Sequence, residues 1–183
     1  DNGLEGGENM EENGRSRGST GGLRGRKRSL FNGGVGVPAL VKWPKVVEGG
    51  TTFTMPCSTL DYFPTIIDLL GYQMPDNRPI DGVSLMPLLR GENIERPKPI
   101  PYRFLAGKDK MFGSPTLALI DRNYKYLTNL SQRGEENMLF DMDNDMAESR
   151  NIIAYHREHA NRMHKYVEEF ISSCRNSHYG GDY

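Results

Sequence analysis

The chain has 183 residues, 36% of them hydrophobic, a mean hydropathy of -0.64 and a formal net charge of -1. That length suffices for one domain with a sizeable core, or one domain with an appendage. Near-neutral charge gives no global field for nucleic acid or an anionic membrane, and no apolar run approaches the roughly 18 residues of a membrane span.

In chain order, Asp1-Asn2-Gly3 comes first. A carboxylate beside a side-chain amide offers two hard oxygen ligands suited to Ca²⁺ or Mg²⁺, although such a cation needs more ligands than these. Residues 3–22 lack periodicity and read as a flexible loop. Arg24-Gly25-Arg26-Lys27-Arg28 follows, then Gly33-Gly34 and an apolar stretch. A lone RGRKR is ordinarily a solvated loop or a nucleic-acid or localisation patch. Here the cations run into glycines and an apolar segment, which holds them against a core, and no aromatics interleave. Val35 to Trp43, stopped by Pro44, is expected to be a strand.

Ser58 to Leu70 reads as a helix, with Ser58 as cap, Asp61 three residues on, and Gly71 as terminator. Leu60, Phe63, Ile67 and Leu70 would form its apolar face, and Pro64 marks a kink or the true start. Pro75 to Pro101 is proline-rich and reads as a surface connection, with Asp81-Gly82 as a turn and Leu85 to Leu89 as a short apolar segment. Strands are expected at Tyr102–Leu105, Thr116–Ile120, Lys125–Leu130 and Met138–Asp141, with Asp121-Arg122-Asn123 as a hairpin turn. A helix is expected from about Ala147 to Cys174, because Ile153, Ala160, Met163, Val167, Phe170 and Cys174 recur mostly at three and four. Arg175 to Tyr183 would be a frayed tail.

Cys57 and Cys174 fit no metal or redox spacing and are either one disulfide or two buried thiols. Asn129-Leu130-Ser131 is a glycosylation sequon, a pattern that also arises by chance. His156, His159 and His164 share the last helix, where a wetted surface is a better reading than a metal pair. His178 is assigned no role. Asp141, Asp143 and Asp145 alternate like a calcium loop but lack its glycine and terminal glutamate; an acidic turn favouring the following helix dipole accounts for them.

Several segments together resemble the sulfatases of the alkaline-phosphatase superfamily, in their C-terminal portion. They are Asp1-Asn2-Gly3, LRGRKRSLFNGGVGVPALVKWP, STLDYFPTIIDLLG, DGVSLMPLLRG, RNYKYLTN and ENMLFDMDNDMAESRNI, in the family's order over nearly the whole chain. The resemblance implies an α/β fold: the C-terminal part of an alkaline-phosphatase-like mixed-sheet domain, then a small antiparallel sheet with one long packed helix. Residues 1–99 would belong to the catalytic domain, 100–175 to the antiparallel subdomain and 176–183 to a tail.

In this family a cysteine or serine in a C/S-x-P-S/A-R motif becomes formylglycine, whose hydrate attacks the sulfur of a sulfate ester beside a divalent cation, usually Ca²⁺. Carried over by position, Asp1 and Asn2 would be metal ligands. Lys27 would contact the sulfate and assist the leaving group, a suitable task for a compact ammonium charge. Two departures stand out: Asn32 where many relatives have an acidic residue, expected to change how the loop is braced, and Gly36 where they often have arginine. Cys57, in Met55-Pro56-Cys57-Ser58-Thr59, lacks the downstream proline and arginine and is not the nucleophile.

The resemblance therefore implies a sulfatase fragment. The formylglycine and the first metal-ligand pair would lie in an N-terminal remainder, and this chain alone would be inactive. The substrate would be a sulfate ester, most naturally a sulfated carbohydrate, and the location periplasmic, secreted or lysosomal. A phosphonate or phosphodiester hydrolase of the same superfamily is the alternative enzyme. A truncated, non-catalytic product binding sulfated glycans is the alternative outside enzymes.

Overall fold

A computed structural model describes residues 18–74, 78–104, 115–129 and 137–182. Asp1, Asn2 and most of the 3–22 loop lie outside these, as do Leu105, Leu130 and Ser131. The chain divides into two compact units, one within Asp1–Pro38 and Pro101–Glu169, the other within Ala39–Ile100 and Phe170–Tyr183.

The first unit is built on a four-stranded sheet in the order β1-β2-β3-β4: Ile100–Arg103, Leu117–Asp121, Tyr124–Thr128 and Met138–Asp141. β2 and β3 pair antiparallel from Leu117 opposite Thr128 to Asp121 opposite Tyr124, leaving Arg122-Asn123 as a two-residue loop. Arg122 takes φ +53° there, so the expected turn is present at the expected place. β3 and β4 pair with Tyr124 opposite Asp141 and Leu127 opposite Met138. All four strands lie within two residues of their expected positions.

Alternation along the strands sorts their side chains onto two faces. Ala118, Leu127 and Phe140 share one face and cluster with Leu30 and Phe31, the two residues that follow the basic loop. Lys125, opposite Phe140, lies on this same face. Leu119, Tyr126 and Leu139 form the other face. Helix α4 (Arg157–His178) lies against it: the Tyr126 hydroxyl meets His164 Nδ1 at 3.0 Å, and the Tyr124 ring stacks on His159 with centroids 4.5 Å apart. Ala160, Met163 and Val167 are its buried stripe, at the three-four spacing expected.

The helix starts ten residues later than its periodicity suggested and runs past Cys174 to His178. Side chains hold residues 145–153 in turns instead. Asp145 accepts from the Ser149 and Arg150 amides at 3.0 and 2.9 Å, and Asn151 Oδ1 accepts from the Leu139 and Ile153 amides. Such bonds compete with helix hydrogen bonds, and in this segment they prevail. The acidic turn therefore builds this linker rather than charging the helix start. Its hydrogen bonds hold Asp141 and Asp145 below the usual carboxylate range: those from Asn144 lead at Asp141, and those from Ser149 and Arg150 outweigh desolvation at Asp145.

A second expectation also fails. Asn32–Val35 forms a short helix, α1, and residues 36–43 form no strand. Leu40 is 99% exposed and Val41 is exposed as well. The apolar, partly β-branched sequence suits a strand, but a ladder also needs a partner edge, and none pairs with it among the described residues.

In the second unit, Ser58 caps a 3₁₀ turn, Thr59–Asp61, that passes into α2 (Tyr62–Leu69), with the expected capping box between Ser58 and Asp61. Pro64 falls in the first turn of α2, where its missing N–H costs nothing. Gly71, at φ +61°, ends the helix. The 75–101 segment is more than a surface connection: α3 (Met86–Leu89) buries Met86, Leu88 and Leu89, and Arg96 is buried too. Arg96 grips Asp61 at 2.7 and 2.8 Å, and Asp61 also accepts the Ser58 and Val83 amides at 2.7 and 2.9 Å. The apolar face of α2 is not a core face. None of its residues is buried, and Leu60, Tyr62, Phe63, Ile66, Leu69 and Leu70 are all exposed.

Candidate functional site around Lys27

Lys27 lies half-buried in the turn between Arg24 and Leu30, the only one of the three expected site residues that is described. Two close approaches shape this turn. The Gly33 amide donates to the Arg24 carbonyl at 2.7 Å, closing the base of the loop. A Cβ on Gly33 would sit 2.3 Å from the Gly25 carbonyl oxygen, and one on Gly34 would sit 2.2 Å from that of Ser29. The glycine pair is therefore required by backbone meeting backbone, where nothing can yield cheaply. In the full-length protein, Gly34→Ala is expected to cost about 1–3 kcal/mol through this overpacking, read as a lowered thermal midpoint.

The loop bends sharply beside Lys27, because Arg28 takes φ +76° without being glycine. Such backbone is uncommon and persists where its surroundings over-determine it. Arg24 secures one end: its guanidinium lies 4.0 Å from the Phe31 ring centroid and donates to the Glu148 carbonyl at 3.2 Å. At the other end, Leu30 and Phe31 are sunk into the sheet core.

Beneath the loop is a buried polar cluster that residue spacing did not reveal. Lys125 Nζ lies 2.8 Å from Glu148 Oε1, and both side chains are 0% exposed. Lys125 also donates to Asn32 Oδ1 at 2.7 Å. Glu148 Oε2 accepts the Asn32 amide at 2.6 Å, and Asn32 Nδ2 donates to the Met146 carbonyl at 2.9 Å. Burial lowers the Lys125 pKa, and the Glu148 charge partly offsets that. Glu148 itself has left-handed backbone, φ +55°. Asn32 thus braces the loop as a neutral hub that accepts from one buried cation. The visible signal was Lys125 in a strand whose neighbours Tyr124, Tyr126 and Leu127 are apolar or aromatic; a lysine there must find a partner.

The other candidates resolve plainly. Cys57 and Cys174 are unbridged thiols, but neither is buried as expected: Cys57 is exposed and Cys174 is half-buried, and Cys57 Sγ donates to the Met55 carbonyl at 3.3 Å. Desolvation and then the Asp61 charge push the Cys57 thiol up, the wrong direction for a nucleophile. His159 is packed on Tyr124, and Arg162 Nη2 lies 2.8 Å from its Nδ1; desolvation first, then Arg162, lowers its pKa. Asn129 is buried, its Oδ1 accepting from the Thr116 amide and hydroxyl at 2.9 Å each, so the sequon asparagine serves the sheet. No group of three or more His, Cys, Asp or Glu side chains able to hold a metal occurs among the described residues. None of these helices is long and apolar enough to cross a membrane.

Residues 25–176, from the basic loop into the last turn of α4, match the family described as N-sulphoglucosamine sulphohydrolase, C-terminal. The chain belongs to this sulfatase family. Arylsulfatase A of Bos taurus is 32% identical over 155 residues, which cover 74% of this chain and 30% of that protein. Steryl-sulfatase of Mus musculus is 47% identical over 78 residues, 43% of this chain and 12% of that protein. Among solved structures, that of Ps i-CgsB superposes with a TM-score of 0.66 at 29% identity, over 81% of this chain and 31% of that one. The same protein has been solved in complex with k-i-k-neocarrahexaose. The sulfatase chain described here thus spans between about an eighth and a third of these relatives. Its alkaline-phosphatase-like affinity and its antiparallel sheet with one long helix agree with the α/β class expected from sequence.

Proposed function

We propose that this chain is the C-terminal part of a formylglycine-dependent sulfatase, and that Lys27 contributes the charge that binds the sulfate group and stabilises the departing oxygen. The observation that carries this reading is the built loop: a lysine on a turn closed by Gly33 and Gly34 and tied to a buried ion pair, inside the region that matches the sulfatase family. A free basic tail needs none of that. Lysine suits the task because an ammonium group is a compact donor that can follow charge as it moves to the bridging oxygen.

Asp1 and Asn2 are proposed as ligands of a divalent cation, Ca²⁺ or Mg²⁺. They lie outside the described residues, and those residues offer no cation site of their own, so no chemical step is derived through the ion. The formylglycine is proposed to stand in an N-terminal remainder. Two features support such a remainder: the share of the relatives that this chain spans, and the uncovered apolar surface of α2. A helix with no buried residue and six exposed large apolar or aromatic side chains along it and its flanks needs covering. A sulfated carbohydrate is the proposed substrate class, supported by the family described for residues 25–176 and by the oligosaccharide complex of the structural neighbour. A periplasmic, secreted or lysosomal location is proposed with it.

The test is release of inorganic sulfate by the full-length protein from a panel of sulfated sugars, aryl sulfates and steryl sulfates, with phosphonate and phosphodiester controls. Sulfate release supports the reading; hydrolysis of the phosphorus esters alone overturns it. The 183-residue chain by itself is expected to release none and to unfold without a cooperative transition or a native near-UV signal. Cooperative melting of the isolated chain would show that α2 needs no cover.

A further inference from the structure

The Lys125–Glu148 ion pair is fully buried, yet such pairs are poor sources of net stability: desolvation consumes most of what attraction supplies, and an apolar pair of equal volume often serves as well. What an apolar pair could not do is hold two strands of loop at once. Both ends of the basic loop converge on residue 148. Arg24 donates to its carbonyl at 3.2 Å, and the Asn32 amide donates to its carboxylate at 2.6 Å. Lys125 fixes the orientation of that carboxylate and reaches Asn32 Oδ1 as well. Left-handed backbone at both Arg28 and Glu148 gives the loop and its anchor a shape that neither segment would adopt alone.

We propose that Lys125 and Glu148 are positioning residues for Lys27, acting through Asn32 and Arg24 to set where the lysine stands. This rests on the assignment of Lys27 to the sulfate group. In a site of this kind a displacement of about 1 Å is enough to cost a hundredfold in rate, so a brace remote from the chemistry is felt in kcat.

The loop carries its own reporter, because Arg24, Arg26, Lys27 and Arg28 are trypsin sites. In the full-length protein, Glu148→Gln is expected to raise the native-state rate of cleavage at Arg26–Arg28 by about tenfold or more, since proteolysis follows the population of the open loop. It should also lower kcat with little change in KM. Asp61→Asn, which damages the other unit, controls for loss of overall stability and should leave loop cleavage unchanged. If Glu148→Gln proves too unstable, the double variant Lys125→Leu/Glu148→Leu replaces the pair with apolar bulk; a native near-UV signal with a trypsin-sensitive loop is the expected result. Unchanged cleavage in either variant, or cleavage that rises equally in Asp61→Asn, overturns the proposal. Failure of the Lys27 assignment is distinguishable, because Lys27→Ala would then leave hydrolysis intact whatever the protease results show.

Discussion

Replacing Asp61 with alanine is expected to destabilise the second unit by about 3–5 kcal/mol, the usual cost of removing one partner from a buried ion pair. Arg96 would keep its charge while its guanidinium stays 2% exposed, and the Ser58 and Val83 amides would lose their acceptor. The helix cap and the α3 segment are joined through this one carboxylate. In the full-length protein, urea titration should show a midpoint lower by more than about 1 M, given slopes of about 1–3 kcal/mol/M. Asp61→Leu combined with Arg96→Met should recover most of the loss, because no charge is then stranded. A single variant as stable as the parent would show that the pair is not tightly held.

The same carboxylate sets an acid dependence. Burial pushes the Asp61 pKa up, but hydrogen bonds from Arg96, Val83 and Ser58 outweigh it, so the folded value lies below the ordinary one. The unfolded chain therefore binds the proton more readily. The contribution of Asp61 is fully present above the unfolded pKa of about 3.9 and is lost as pH falls through the folded value. Asp61→Asn should accordingly flatten the stability profile below about pH 4 and leave its shape near neutrality unchanged.

How far the sequence could be read follows from where the determining partners lie. The hairpin at Arg122-Asn123, the Ser58 cap and the stripe through Ala160, Met163 and Val167 are set within a few residues, and all were legible. Residues 147–156 were not, since their local helical periodicity lost to side-chain acceptors at Asp145 and Asn151 and to the recruitment of Glu148 by Lys125. Val37 to Trp43 has the composition of a strand, but strand formation depends on an edge supplied by other residues. At the site, Lys27 was legible because the glycines and cations around it are contiguous. Its brace was not, because Lys125 and Glu148 are separated from the loop by about a hundred residues of sequence, and nothing local marks either as buried.

The largest effect on chemistry is expected at Lys27 itself. In the full-length protein, Lys27→Ala should lower kcat for sulfate-ester hydrolysis by about 10²- to 10³-fold, the loss typical of removing one donor aimed at developing charge. That corresponds to about 3–4 kcal/mol of transition-state stabilisation. The effect should grow as the leaving group becomes more basic, because a poor leaving group depends most on the ammonium charge. An activated aryl sulfate should therefore be hurt least. Lys27→Arg keeps the charge but spreads it over a planar fork and should recover only part of the rate. A proportionate loss across all leaving groups would confine the lysine to binding the sulfate, and an unchanged kcat would remove it from the site. Glu148→Gln, which acts through the lysine, should show the same dependence on the leaving group at a smaller amplitude, with an activated aryl sulfate again hurt least. A Glu148→Gln loss with no leaving-group trend would show that Glu148 acts other than through Lys27.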